Sequence, residues 1–406
     1  LSSETALIDP LVYWSHKHAY QRTGEYLFSQ LIPYIGSKRR LLGLIDRAVE
    51  QTGVVGGTFA DLFAGSGVVS RYAKCKGFRV VSNDWEPYAY TLNMATISLN
   101  TPPCSDELFD YLNALEGISG YITNHYCPTD DNDADPTAER MYYTRSNGMK
   151  IDAIRMKIAE WEESGFIDQM QKHYLLAPLI SSASYTSNTS GVFKAYHHGW
   201  GGKTSTALYR ILSNLVIKPV VLFDNGLDNL TFAADAQEIA ESGRETVGDA
   251  PSIVYLDPPY NQHPYGSNYH MLNSIALWDC PEVPKMEAAK SAIRTDWKTK
   301  RRSTYNSRAS ALPTLERLLD RLNARWVLIS YSTDGNIGVD ELVDSLDRRG
   351  SVSVVANSYK RYRVSSQRMS ARSHNVEFVL ILDTLGKPGS GKSEVHRDIL
   401  LAKKPN

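Results

Sequence analysis

The alternation of apolar and polar positions changes character several times along the chain. Between residues 38 and 50, Leu41, Leu42, Leu44, Ile45, Ala48 and Val49 recur at helical spacing and predict one amphipathic helix. Gly53, Gly56 and Gly57 then break the chain. Residues 58–62 read as a short strand, 64–67 as a glycine turn, 68–76 as a helix and 78–82 as a second strand ending at Asn83-Asp84. Strand, helix, strand in that order begins a parallel sheet. Helical spacing resumes at 149–163 and 169–179. Strand-like runs return at 220–223, 230–233 and 253–256, then at 326–330 behind an amphipathic helix at 312–322, and last at 352–355 and 376–382. The expected architecture is α/β, a doubly wound Rossmann-like sheet interrupted twice, by a long stretch after Asp84 and by a basic stretch after Leu272.

Length fits this picture. At ~150 residues per domain, 406 residues make two or three units, or one large domain with insertions. Apolar content of 42% and charged content of 22% belong to a globular chain with a sizeable core. The net charge of −1 excludes a basic packaging protein, although nucleic acid needs only a local basic face. No run of 18 apolar residues occurs, so no membrane-spanning helix is expected, and the first 20 residues lack the order of a signal peptide. Cys75, Cys104, Cys127 and Cys280 lie far apart, which fits a reducing cytoplasm and no structural metal or disulfide frame. His197 and His198 have no third ligand spaced near them.

Two motifs carry chemistry. The first is FADLFAGSG at 59–67. Its strand ends in Asp61 and Phe63, and Gly65 and Gly67 let the backbone turn sharply into a helix start, where ligands of parallel sheets bind. Asp84, at the end of the next strand, is placed to take both hydroxyls of a ribose. Taken alone, the turn fits NAD, FAD or S-adenosylmethionine. The third glycine of a dinucleotide fingerprint is replaced by Val68-Val69-Ser70, and Asp61 offers a carboxylate suited to an amino group, which favours S-adenosylmethionine.

The second motif decides the matter. An apolar strand runs straight into Asp257-Pro258-Pro259-Tyr260. The prolines stiffen the loop and remove two N–H donors, leaving carbonyls to accept. Such a corner suits a planar exocyclic amine. The N6 nitrogen of adenine is a poor nucleophile because its lone pair is delocalised into the ring. Acceptors for its hydrogens, the Asp257 carboxylate and the Pro258 carbonyl, localise that pair, while Tyr260 stacks on the base. Catalysis is then positioning and electrostatics, with no metal. The scheme requires a corner open to the cofactor cavity and a carboxylate not tied up in an internal ion pair.

With these segments in view, the sequence resembles the Dam-like (D12 class) DNA N6-adenine methyltransferases. The matching blocks are IPYIGSKRRLL at 32–42, FADLFAGSGVVS at 59–70, SND at 82–84, ADAQEI at 234–239 and YLDPPYNQHPYGSNYHML at 255–272, in the family's α-type order. The resemblance implies a methyltransferase sheet and S-adenosyl-L-methionine as cofactor. It places Tyr34, Gly36 and Lys38 over the methionine part of the cofactor. Asp61, Phe63, Gly65 and Gly67 fall in the main cofactor loop, Asp84 on the ribose, and Asp235 with Ala236 at the cofactor's adenine. Asp257, Pro258, Pro259 and Tyr260 are the catalytic loop, with Asp257 also touching the cofactor. The family often has Trp where Tyr34 stands and Gly where Ser37 stands.

The implied organisation is an N-terminal arm at 1–30, a catalytic domain of residues 31–100, 216–272 and 312–385, a target-recognition insertion at 101–215, a basic DNA-contacting segment at 273–311 and a flexible tail at 386–406. Residues 285–308 carry a surplus of six positive charges with Trp297 and Tyr305 interleaved, and residues 359–372 hold five basic groups and no acid. These clusters read as phosphate-contacting surfaces. Expected DNA contacts are Lys298, Arg301, Arg302, Lys360, Arg361 and Arg363, with Asn188 and Lys194 from the polar-aromatic stretch 185–203, and Tyr269. The partner is double-stranded DNA, with a flipped-out adenine as acceptor, and a cognate restriction endonuclease is the further partner expected of a modification enzyme acting on DNA in a bacterial cytoplasm. Cytosine N4, RNA adenine and a non-catalytic DNA-binding module are the alternatives. The pattern GKPGSGKS at 386–393 matches a phosphate-binding loop, but too little chain follows it for the helix and partner strand such a loop needs.

Overall fold

Neighbouring residues of one strand face opposite sides of a sheet, and here both sides are apolar. Phe59, Val80, Ile253, Tyr255 and Leu328 pack on one face, and Ala60, Val81, Val254, Leu256 and Val327 on the other. Strands buried on both faces are the signature of a parallel sheet covered by helices. The computed structural model describes residues 21–247, 250–262, 264–286, 293–294, 301–360, 374–389 and 391–402. Its strands are β1 (Thr58–Asp61), β2 (Arg79–Asn83), β3 (Leu230–Phe232), β4 (Ile253–Leu256), β5 (Trp326–Ser332), β6 (Ser351–Lys360) and β7 (His374–Asp383), in the spatial order β3-β2-β1-β4-β5-β7-β6. The pairings from β3 across to β5 are parallel, and β7 runs antiparallel to both β5 and β6.

Helices Leu42–Thr52 and Val68–Cys75 cover one face. Helices Ala236–Val247, Arg308–Arg321, Val339–Asp347 and Lys392–Ala402 cover the other. Because β1 connects to β2 on one side and pairs with β4 on the other, a crevice opens beyond the ends of β1 and β4.

The stretch between β2 and β3 builds a helical core of its own. Helices Glu107–Ala114, Arg145–Glu163 and Gln169–Thr186 bury Phe109, Leu112, Ile151, Ile154, Leu175 and Leu179 together. The helix His270–Leu277, just past the DPPY corner, contributes Met271, Leu272 and Ile275 to that same core. Asp168 opens the helix Gln169–Thr186 with a reciprocal cap to Gln171.

Two expectations are corrected. Residues 220–223 form no strand: Pro219 lacks a ladder donor, and Ile217 and Val220 are drawn into the helical core instead. The tail is not a loose segment, since helix Lys392–Ala402 packs Val395 and Ile399 against the sheet. A β-carbon on Gly391 would lie 1.9 Å from the Val352 carbonyl oxygen, and Lys392 pairs with Asp344. The phosphate-loop-like glycine is there for close packing. Among the described residues no helix is long and apolar enough to cross a membrane, and the four cysteines are free thiols.

Candidate active site

The ends of β1, β2 and β3 are fastened by one side chain. Asn83 donates to the carbonyls of Leu62 and Ala234 and accepts from the Ala234 N–H, each at 3.1 Å. This holds the three strand ends at one level, and a solvent-open cleft lies above them. Tyr34, Phe63, Asp84, Asp235, Ala236, Asp257 and Pro259 all line it, so five segments distant in sequence converge there.

The remaining predicted cofactor residues stand behind this wall. Gly65 and Gly67 both have positive φ, 52° and 79°. A β-carbon on Gly65 would come within 2.7 Å of the Tyr34 hydroxyl, and one on Gly67 within 2.5 Å of Asn93 Oδ1. Only glycine fits either place. Asp84 ties the turn to β2: its Oδ2 accepts from Gly65 N at 2.7 Å and its Oδ1 from Glu86 N at 2.9 Å. Asp61 is buried behind the turn, with Oδ2 accepting from Ser70 at 2.8 Å. Burial disfavours charge on these carboxyls and pushes Asp61 up to about 7 and Asp84 up to about 6.

The Tyr34 segment is clamped by the chain that follows DPPY. The Tyr34 ring stacks on Tyr265 and Tyr269, with centroids 5.2 and 5.3 Å away. The Tyr265 hydroxyl donates to the Ile35 carbonyl at 2.9 Å, and the Tyr269 hydroxyl accepts from the Ile35 N–H at 2.8 Å. This clamp delivers Lys38, only 3% exposed, to Asp257, with Nζ 2.8 Å from Oδ1. The ammonium also donates to Gly36 O at 3.2 Å and lies 5.2 Å from the Tyr260 ring centroid. Tyr260 itself is fixed by the Tyr331 ring at 5.7 Å and by Asn336 N, which donates to its carbonyl.

The corner is therefore open to the cavity, but the unshared carboxylate expected from the sequence is corrected: Asp257 is ion-paired to Lys38. Burial pushes the Asp257 carboxyl up and Lys38 opposes that rise. Burial works against the Lys38 charge, and Asp257 with its neighbours carries the ammonium well above its ordinary value. Lys38 draws the Tyr260 phenol down, yet burial leaves it at about 12. A carboxylate has two oxygens and about four acceptor positions, so one ammonium does not exhaust it.

Several cavity residues went unread in the sequence. Trp85 and Glu86 follow Asp84 directly. Glu86 is buried, pushed up to about 7 by burial, and accepts from Asn273 at 2.6 Å. Ser303, Thr304 and Tyr305 close the opposite wall. Tyr305 was expected among the DNA-facing aromatics and is instead buried edge-on to Phe63, centroids 5.5 Å apart. Arg301 is half-buried at the rim and donates to the Trp85 carbonyl at 2.7 Å. Arg294, counted in the same basic run, is buried against Asp279.

Two expected DNA contacts are turned inward. Asn188 is fully buried; its amide donates to the carbonyls of Met141, His197 and Gly199 and its oxygen accepts from Gly201 N. Tyr269 is buried in the clamp. Lys194 is half-buried and Arg302 exposed. Lys360 closes β6, and Lys298, Arg361 and Arg363 lie outside the described residues.

Residues 34–313 match the D12 class N6 adenine-specific DNA methyltransferase family. The chain belongs to that family. It is 32% identical over 363 residues to the Type II methyltransferase M.NlaIII of Neisseria lactamica, an alignment covering 86% of this chain and 98% of the relative. It is 33% identical over 368 residues to the modification methylase LlaI of Lactococcus lactis subsp. lactis, and 31% over 359 to the Type II methyltransferase M.FokI of Planomicrobium okeanokoites. Those alignments cover 86% of this chain but 54% and 52% of the relatives, so the chain spans about half of each. As a D12 enzyme the protein is an adenine-N6 DNA methyltransferase, and the cytosine, RNA and non-catalytic alternatives fall away.

Proposed function

We propose that the cavity binds S-adenosyl-L-methionine and that the DPPY corner receives the N6 amine of an adenine flipped out of duplex DNA. The observation that carries this reading is the meeting of Asp84 and Asp257 in one cavity, with Lys38 behind the corner. The donor set fits the cofactor. Phe63 and Tyr305 offer aromatic walls, Asp84 keeps acceptor positions for a ribose diol, Asp235 stands exposed at the adenine end, and the four acidic groups Asp84, Glu86, Asp235 and Asp257 suit a cation. When bound, the cofactor supplies an electrophilic methyl group on a sulfonium.

The chain's own residues do the rest. Asp257 accepts a hydrogen of the amine, which localises the nitrogen lone pair. Lys38 opposes the rise that burial imposes on that carboxyl and so favours its charged, accepting form. Tyr260, locked by Tyr331 and Asn336, presents its ring to the base, and Pro258 and Pro259 keep the corner stiff. Gly36, Gly65, Gly67 and Asp61 shape the cavity from behind.

Lys194, Arg302, Lys360 and the sequence-inferred Lys298, Arg361 and Arg363 are the proposed phosphate contacts, and Arg301 holds the rim between them and the cavity. The helical insertion is the proposed reader of the target site. The names of the relatives favour a modification enzyme paired with a restriction endonuclease, acting on DNA in the cytoplasm. Expression in a methylation-free bacterial host, followed by single-molecule sequencing of a plasmid, tests the reading. N6-methyladenine confined to one sequence motif is expected; an unmodified plasmid from a host making folded protein removes it.

A further inference from the structure

One buried carboxylate beside the corner has no part in the scheme so far. Glu377 stands near the start of β7, opposite Ser332 of β5 and Asn357 of β6. Because β7 is antiparallel, its first residues arrive at the sheet edge where the parallel strands end. The edge is continuous with the catalytic corner: Tyr331, next to Ser332, packs on Tyr260, and Asn336 holds the Tyr260 carbonyl. Glu377 Oε2 is buried without a hydrogen-bond partner among the described residues. Its charge acts on Lys38, Asp257 and Tyr260, with Asp334 beside it, and Ser332 hydrogen-bonds to the group. Among the described residues, the groups whose charge acts on the Lys38 ammonium are the carboxylates of Asp257 and Glu377 and the phenols of Tyr260 and Tyr255.

A buried ammonium requires a counter-charge, because the cost of desolvating it is met only by a partner. In the free chain Asp257 is that partner at 2.8 Å. Transfer draws Asp257 toward the amine, so Lys38 must share it. With no second carboxylate near, Lys38 would stay clamped on Asp257 and compete with the substrate. We propose that Glu377 is a positioning residue for methyl transfer, holding the Lys38 counter-charge while Asp257 is engaged by the adenine amine. This rests on the reading that Asp257 accepts from that amine.

The test uses the full chain, tritiated S-adenosylmethionine and plasmid DNA from a methylation-free host, with single-turnover rates so that slow variants remain measurable. Glu377→Gln keeps the shape and removes the charge. It is expected to lower the transfer rate and kcat about tenfold, within the range of coupled neighbours, while cofactor KM and the melting temperature stay at wild-type values. Glu377→Asp restores part of the rate. In a Lys38→Met background Glu377→Gln adds no further loss, since it acts through Lys38. An unchanged rate overturns the proposal, as does an equal loss in both backgrounds or a loss that follows cofactor KM or melting temperature. Asp257→Ala run alongside separates the two ideas. If it retains turnover, the reading of the corner fails; if it is inactive while Glu377→Gln is normal, Glu377 alone is dismissed.

Discussion

The crevice at the strand ends and the polar-aromatic loop of the insertion are both rich in groups able to bind, yet they use them differently. In the crevice, Tyr34, Phe63, Asp84, Asp235, Asp257 and Pro259 all reach one cavity. In the loop, Asn188 spends its whole amide on Met141, His197, Gly199 and Gly201, and the carbonyls of Tyr185, Ser187 and Thr189 accept from Arg210 of the helical turn Leu208–Ile211. The difference lies in what fixes direction. At the end of a parallel strand the backbone decides where the side chain points. In an irregular loop the backbone's own unpaired groups must be satisfied first, and the polar side chains best able to do so are consumed.

The sharpest break in that comparison is Asp257→Ala. Removing a preorganised acceptor from a corner that works by electrostatics should cut methyl transfer by about 10²–10³-fold or more, with cofactor affinity largely kept. Tritium transfer to duplex DNA and calorimetric titration of the cofactor measure the two sides. Turnover near the wild-type rate would show that the corner is scaffold.

Asn188→Ala tests the other region. If Asn188 is internal mortar, the variant should lose ~2–4 kcal/mol of stability in urea unfolding, as buried groups are left unpaired, while DNA affinity per folded molecule is unchanged. A stable variant with weakened DNA binding would return Asn188 to the interface.

A third effect is smaller and depends on pH. Asp84 at about 6 and Glu86 at about 7 hold protons in the folded chain that their unfolded counterparts release. The unligated protein should therefore lose stability as pH rises from ~4 to ~7, the window between unfolded and folded values. A bound cation favours the ionised groups, so affinity for the cofactor should rise several-fold from about pH 5.5 to about pH 8. Asp84→Asn should flatten that rise, and an affinity independent of pH would mean that the acids do not meet the sulfonium or the ribose.

The smallest predicted effect separates two neighbours. Arg302→Ala should reduce the slope of log affinity for DNA against log salt by roughly 1 and leave the cofactor alone. Arg301→Ala should loosen the Trp85 rim and weaken cofactor binding. Identical behaviour of the two would erase the boundary between rim and DNA surface.

These contrasts also explain what was legible beforehand. FADLFAGSG and DPPY could be read because glycine, proline and strand-end acids are demanded by the backbone at fixed spacing. The cavity wall at Tyr305 could not: its neighbours Arg301 and Arg302 advertise charge, and only the packing on Phe63 shows that the tyrosine turns inward. Nor does sequence reveal that Lys38, more than two hundred residues upstream of Asp257, lands on that carboxylate. The packed helix Lys392–Ala402 escaped the sequence for a related reason, since a Gly-Lys-Ser-rich composition looks loose until Gly391 is seen pressed on Val352.

The helix His270–Leu277 belongs to two bodies at once. It begins thirteen residues past Asp257, and its apolar side is built into the core of the insertion. If the insertion reads the target, a mismatched sequence that strains it also shifts the segment carrying the clamp on Tyr34. Fidelity would then be a property of turnover as much as of grip: the wrong site is held but mistimed.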